Sequence, residues 1–485
     1  MRRFFLLITG FLILFSACRK ENPINTDPSL KLSFSADTVL FDTVFTTIGS
    51  SIHQLKVYNK YDDDLNISEI RLFGGEQSRF KLNMDGESGW EFHDKVITAN
   101  DSLFTFLNVT IDPNDQSSPF VVEDSLLFVT NGNQQMVKLV AWGQNAHYII
   151  ADRKVQGLPK FIIVADSLET THWYNDLPYV IYGYALINSY GTLHIHEGVR
   201  IYMHDLGYDD HCGLLSWSDG QLIIEGTAEN PVTIQGDRME PYFKDQPGQW
   251  DRIWLMDGRP GGDHIISHAI LRNAFVGIQA ESFLKATQAA LYIDNTVIEN
   301  NTGWGILARN YAIGADNLVI DNCAGYNFEA QMGGYYVFRH TTMGNYWWQS
   351  PRTTPSMLFS NVVEDQDGVQ HEIPFHFEMG NSIVYGSAED EFKTALRGNE
   401  VDTTYQFDHC LIRSLKHQSS EAFVNCIFNQ DPMFVDYRSF DLHLSDALSP
   451  AVGTGSPVIG AMVPYDIEGN SRLGTPDLGA YQHRD

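Results

Sequence analysis

The chain has 485 residues, with 61 acidic against 32 basic side chains and a net charge of −29. That balance excludes nucleic acid as a partner, because binding a polyanion requires clustered Lys and Arg. Charged residues make up only 19%, while 22 Tyr and 29 Phe are present, which favours β structure and excludes a disordered chain.

Arg2 and Arg3 precede an apolar run over 4–15, broken only by Thr9 and Gly10. Such a run rises about 18 Å as a helix, short of a bilayer core of about 30 Å. Residues 1–17 therefore read as a signal peptide, and no other stretch is long and apolar enough to predict a transmembrane span. The run ends Leu14-Phe15-Ser16-Ala17-Cys18, which resembles the bacterial lipobox, with Phe15 where Leu is commoner. The resemblance implies that Cys18 is lipidated and anchors the chain in a bacterial outer membrane. Residues 18–28 are polar and Pro-containing, as in a tether. Arg19 and Lys20 come before Glu21 and Asp27, so the surface and periplasmic sides both stay open.

Residues 29–146 alternate with period two, as in Leu55-Lys56-Val57-Tyr58 and Met136-Val137-Lys138-Leu139-Val140. Turn signals such as Asp62-Asp63-Asp64 and Asn131-Gly132-Asn133 fall between the runs. About seven strands of this kind predict a β-sandwich. Phe34-Ser35-Ala36-Asp37-Thr38-Val39, Ser78-Arg79-Phe80 and Ala141-Trp142-Gly143 resemble the Ig-like modules of Bacteroidota lipoproteins. Asp62, Asp63 and Asp64 read as a solvated turn rather than a calcium site, because no second ligand set accompanies them.

From 147 onward a short strand followed by Asn, His or Asp recurs at His268, Asn295, Asn322, His340, Asn361, Asn381, His409, Asn425 and Asp446. These residue types tolerate the left-handed conformation that turns a chain through a corner. A small residue follows at Ala269, Thr296, Cys323, Ser382, Cys410, Cys426 and Ala447, which suits a narrow interior. The mean spacing of about 22 residues, without 3.6 periodicity, predicts a β solenoid and excludes helical repeats. The expected architecture is all-β: the sandwich, then a right-handed parallel β-helix over 147–447 and a C-terminal cap over 448–485 that closes its end.

Gly220-Gln221-Leu222-Ile223-Ile224-Glu225-Gly226-Thr227, Asn230-Pro231-Val232-Thr233-Ile234 and the closing Pro476-Asp477-Leu478-Gly479-Ala480-Tyr481 resemble surface β-helix proteins of the pectin-lyase-like superfamily. Relatives there include polysaccharide lyases and hydrolases, so the resemblance implies fold more firmly than activity. Gly207-Tyr208-Asp209-Asp210-His211-Cys212 resembles a polygalacturonase-like acidic segment but lacks its companion motifs, and it reads as a loop. Arg272, Arg309, Arg339 and Arg413 have no lyase-like motif around them. His194 and His196 alternate with Leu193 and Ile195 and share the outward face; with Glu197 and His204 they read as exposed histidines rather than a metal site. Cys212, Cys323, Cys410 and Cys426 have no metal-ligand spacing and read as free thiols.

Tyr346-Trp347-Trp348, six residues beyond the His340 corner, is the strongest binding feature, because aromatic faces stack on the apolar C–H faces of sugars. The sequence predicts a non-catalytic envelope lipoprotein whose β-helix is a binding or adhesion scaffold for a polysaccharide or a surface protein. A polysaccharide lyase or glycoside hydrolase is the first alternative, and a structural envelope component the second. No catalytic residue, metal site or cofactor is assigned. Calcium stays open, without a motif, as a bridge from this acidic surface to an anionic sugar.

Overall fold

The computed structural model describes residues 23–46, 49–50, 52–112, 120–205, 211–282, 290–365, 367–398 and 402–484. It is nearly all β and divides into two compact units, one up to Asn145 and one from Ala146. The first unit holds two five-stranded sheets. One is ordered Ser33–Phe34, His53–Tyr58, Ser102–Val109, Phe80–Met84, Glu87–Gly89; the other Thr38–Phe45, Asn133–Gln144, Phe120–Thr130, Leu65–Leu72, Glu91–Ile97. Alternation places one side of every long strand in a single core that includes Phe41, Leu55, Ile70, Phe80, Leu107 and Phe128. Asp62, Asp63 and Asp64 each accept a hydrogen bond, from Asn100, Asn25 and the Ala99 N–H respectively.

The second unit is built on a 26-stranded sheet running from His147–Ile150 to Ile427–Phe428. Over most of its length each strand pairs in parallel with the strand three further along. His147–Ile150 pairs with Tyr179–Tyr182, which pairs with Arg200–His204, which pairs with Val232–Gly236. The sheet is therefore wound, with three strands to a turn. Its interior is mainly aliphatic in the early turns, at Ile181, Leu193, Ile224 and Ile266, with Trp173, Tyr179 and Trp250 among them. In the later turns it becomes aromatic, where Phe328, Phe338, Phe359, Phe377, Phe392 and Phe407 interlock.

Seven of the nine expected corners are left-handed: His268, Asn295, Asn322, His340, Asn381, His409 and Asn425 all have φ between 46° and 52°. They belong to two columns rather than one. Asp294, Asp316 and Arg339 are in register, so the residues that follow them, Asn295, Asn317 and His340, form the first column. Asn322 belongs to the second, with Asn273 and Asn300. There the amide of Asn322 donates to Asn300 Oδ1 at 2.8 Å, and the amide of Asn300 donates to Asn273 Oδ1 at 2.7 Å, all three residues being buried. In the first column Asn317 donates to Asn295 Oδ1 at 2.8 Å, and Asn381 to His340 Nε2 at 3.1 Å. Rungs are 22 or 27 residues apart in these ladders, but 41 separate His340 from Asn381. That stretch includes an antiparallel hairpin, Val362–Glu364 with Gln370–Glu372.

Asn361 and Asp446 are not left-handed corners. The Asn361 amide instead clamps a loop, donating to the Ile373 and Arg397 carbonyls and accepting the Arg397 N–H. Asp446 accepts the Leu448 N–H in a turn, and Ala447 after it is exposed. The wound sheet ends at Phe428, short of 447. Beyond it, an antiparallel pair, Phe434–Asp436 with Asp441–Leu444, and a short helix, Pro457–Met462, precede the final segment. This region lies along the flank of the turns: Leu442 and Ala480 bury against Val319, and Leu444, Ala451 and Leu478 against Ile383 and Leu411. The reason is polar as well as apolar, since Asn381 accepts the Gly479 and Ser456 N–H groups through its carbonyl and its Oδ1.

Two outcomes test this packing. Asn300→Leu removes two rungs and strains a residue with φ of 59°. It should lower unfolding free energy by about 3 kcal/mol in urea titration, with Asn300→Gly less damaging; a loss below about 0.5 kcal/mol would contradict the ladder. His264 points into the wound interior, accepts the Leu222 N–H at 3.0 Å, and has its pKa lowered by burial to about 4. An unfolded His binds its proton near pH 6.5, so the stability due to neutral His264 is intact above that value and declines as pH falls through about 4. Between pH 7 and pH 5 the native chain should lose about 2 kcal/mol more than a His264→Gln variant; parallel losses would remove His264 as the cause.

Candidate functional site

One face of the wound sheet carries a groove of about 920 Å³. Alternation brings Tyr292, Gly314 and Val337 into one outward row and Asp294, Asp316 and Arg339 into the next. Tyr335 lies in register with Ala312 and His376 and stacks on the His376 ring at 4.6 Å. Met462, Val463, Pro464 and Tyr465 line the groove from the C-terminal region. Tyr292, Tyr335 and Tyr465 are 51%, 54% and 59% exposed, so three tyrosines border one open space. Gly314 suits this arrangement: a Cβ there would sit 3.3 Å from Cδ1 of Tyr292, a tight contact against the ring.

The polar lining is tightly organised. Arg339 donates from Nε and Nη2 to both oxygens of Asp316, at 2.7 and 3.1 Å. Burial nevertheless raises the Asp316 carboxyl above its usual range, outweighing the guanidinium. Asp294 Oδ2 accepts from Ser267 Oγ at 2.8 Å and from Asn295 at 2.9 Å, with His268 Nδ1 4.0 Å away. The Tyr465 side of the groove is pinned by buried Arg472, which donates to the Tyr465 carbonyl, to Asn317 Oδ1, and to the Gly479 and Ala480 carbonyls. A corner residue of the wound sheet thus also sets the groove's edge. Exposed aromatic faces beside fixed carboxylates and a guanidinium suit a ligand with apolar C–H faces and hydroxyl edges.

Cys18 lies outside the described residues, as do Gly207, Tyr208, Asp209 and Asp210. Tyr346 is partly buried and stacks on Tyr437 at 4.2 Å. Trp347 is only 8% exposed and donates to Ser350 Oγ. Trp348 is 46% exposed and stacks on Phe440. This triplet therefore packs largely on the segment around Phe434–Asp436, and the loops near it are held by a buried ion pair between Arg352 and Glu391 at 2.5 Å. Of the four arginines, Arg272 pairs with Glu299, Arg309 with Glu281, and Arg413 lies over the Tyr385 ring; Arg339 alone of these lines the groove.

His204 and His211 line a second cleft of about 780 Å³, where His204 Nδ1 lies 2.5 Å from Asp237. His194 and His196 are on the groove's face but several turns away, beside His172. Cys212, Cys323 and Cys410 are buried free thiols, and Cys426 is partly buried.

No family model matches the chain, and no curated protein matches it. Among solved structures, a family 123 glycoside hydrolase from Clostridium perfringens aligns at 9% identity and a TM-score of 0.18, over 24% of this chain and 30% of that one. A Porphyromonas gingivalis protein of unknown function aligns at 12% and 0.18, over 28% and 58%. A PapD-like domain of human CEP192 aligns at 12% and 0.17, over 27% and 95%. The chain spans under two thirds of the first two, and likenesses this slight carry no functional argument.

Proposed function

We propose that the chain is a lipid-anchored protein of a bacterial envelope, tethered through Cys18 and an Ig-like module, that binds a glycan on a right-handed parallel β-helix. The observation that carries this reading is the groove bordered by Tyr292, Tyr335 and Tyr465, with Asp294, Asp316 and Arg339 set in register beside them. Tyrosine rings offer sugar rings a stacking surface, and the carboxylates accept hydrogen bonds from hydroxyl groups. The groove's guanidinium is already neutralised by Asp316, and the chain is strongly acidic, so the ligand is an uncharged polysaccharide rather than an anionic one. Trp348 adds a smaller exposed aromatic surface away from the groove lining.

A catalytic use of the same groove has one specific observation in its favour. Asp294 and Asp316 are register partners on adjacent turns. Glycoside hydrolysis uses two carboxyl groups across a glycosidic bond.

Isothermal titration against a panel of neutral oligosaccharides should give saturable binding. Tyr292→Ala and Tyr335→Ala should each weaken it about 10-fold, as expected for losing about 1.4 kcal/mol of stacking. Unchanged affinity in both variants would remove the groove from the reading. Release of reducing ends that Asp316→Asn abolishes would favour the hydrolase; binding without any release would leave the non-catalytic scaffold.

A further inference from the structure

His172 lies in the strand Thr170–Trp173 and His194 in the strand Thr192–Ile195, and the two are direct register partners on adjacent turns. His196 follows two residues after His194, so alternation turns its side chain to the same outward face. One ring nitrogen from each of the three lies within 4.8 Å of one from each of the others. Nδ1 of His172 is 2.9 Å from Nε2 of His196, and the rings of His194 and His196 are 4.1 Å apart. Glu225, on the next turn, lies 2.6 Å from Nε2 of His194. Tyr174 stacks flat on His196 at 4.6 Å.

We propose that His172, His194 and His196 form a three-imidazole site for a borderline transition-metal dication, Zn2+ or Cu2+. Nitrogen ligands in a tetrahedral zinc site stand about 3.4 Å apart, and the His172–His196 contact is already close to that spacing. Closing the set to that spacing needs side-chain rotation, and His172 is the exposed member. Without a cation, the 2.9 Å contact consumes one N–H and one lone pair; with one, the proton between the two rings moves to the donor's other nitrogen and both facing nitrogens become ligands. Imidazole donors select Zn, Cu or Ni over Ca and Mg, which prefer oxygen. Glu225 is placed as the carboxylate that orients a ligating histidine, and Tyr174 fixes the ring plane of another. A fourth position is left for water or a substrate oxygen. The site is independent of the glycan reading, since it lies outside the groove lining.

Isothermal titration of the untagged full-length chain with ZnCl2 should give one saturable equivalent per chain. His172→Ala should weaken it at least 10-fold, and Glu225→Gln about 10-fold, with circular dichroism spectra unchanged. The Cu2+-loaded wild-type chain should show a three-nitrogen signature by electron paramagnetic resonance, which needs no variant to fold. No saturable equivalent, an unchanged affinity in a folded His172→Ala/His196→Ala chain, or a Cu2+ spectrum without nitrogen couplings would each overturn the assignment.

Discussion

The second unit depends on one constraint: successive turns must stay in register. Parallel pairing alone sets the strands about 4.8 Å apart, but it does not specify where each strand ends. That is set by left-handed corner residues stacked turn upon turn. Asn is suited to both halves of the task, because it tolerates positive φ and carries a donor and an acceptor for the rungs above and below. Asn273, Asn300 and Asn322 do this in the buried interior of a corner. His340 does it with Asn381, accepting where an Asn carbonyl would. Loops of any length can leave between rungs provided the chain returns to the same column, as it does across the 41 residues from His340 to Asn381.

Register is also what makes a surface. On one face the outward row His172, His194, Ile223, Ile265, Tyr292, Gly314, Val337, Glu378 and Gln406 is continuous through eight consecutive pairings. Imidazoles occupy its beginning and Tyr292 its middle, with Tyr335 in the row alongside. The neighbouring row takes Glu225, Ser267, Asp294, Asp316 and Arg339 in order. Two chemistries are therefore held on one rigid strip, separated by two isoleucines. The C-terminal region completes the groove from the side: Arg472 ties Tyr465 to the corner residue Asn317, so the same column that sets register also sets the groove's edge.

The corners were legible in the sequence because left-handed backbone has a narrow choice of residue types, and seven of those named do adopt it. What the sequence hid was that two columns contribute. Asn322 is spaced like a successor of Asn295, but the true successor is Asn317, five residues earlier and on the other corner. Asn361 has the right residue type with its amide spent on a loop. The groove was hidden for the same reason. Tyr292 and Tyr335 come together only once the register of the intervening turns is known, and Tyr465 arrives from a segment expected to close the solenoid's end. The histidines were half legible: alternation placed His194 and His196 outward, but their partner His172 belongs to the preceding turn. Tyr346-Trp347-Trp348 drew attention by composition, although Phe440 and Tyr437, almost a hundred residues later, take up much of its surface.

A saccharide seated on the tyrosine-bordered strip of the wound sheet, as proposed, must cover those rings. Hydroxyl-radical footprinting, read by mass spectrometry with and without a saturating neutral oligosaccharide, tests it directly. Tyr292, Tyr335 and Tyr465 should become protected together, while Tyr190 and Tyr242, also more than half exposed but outside the groove lining, should keep their labelling. Protection confined to Trp348, or no protection of the three tyrosines under conditions where binding is saturated, would contradict it.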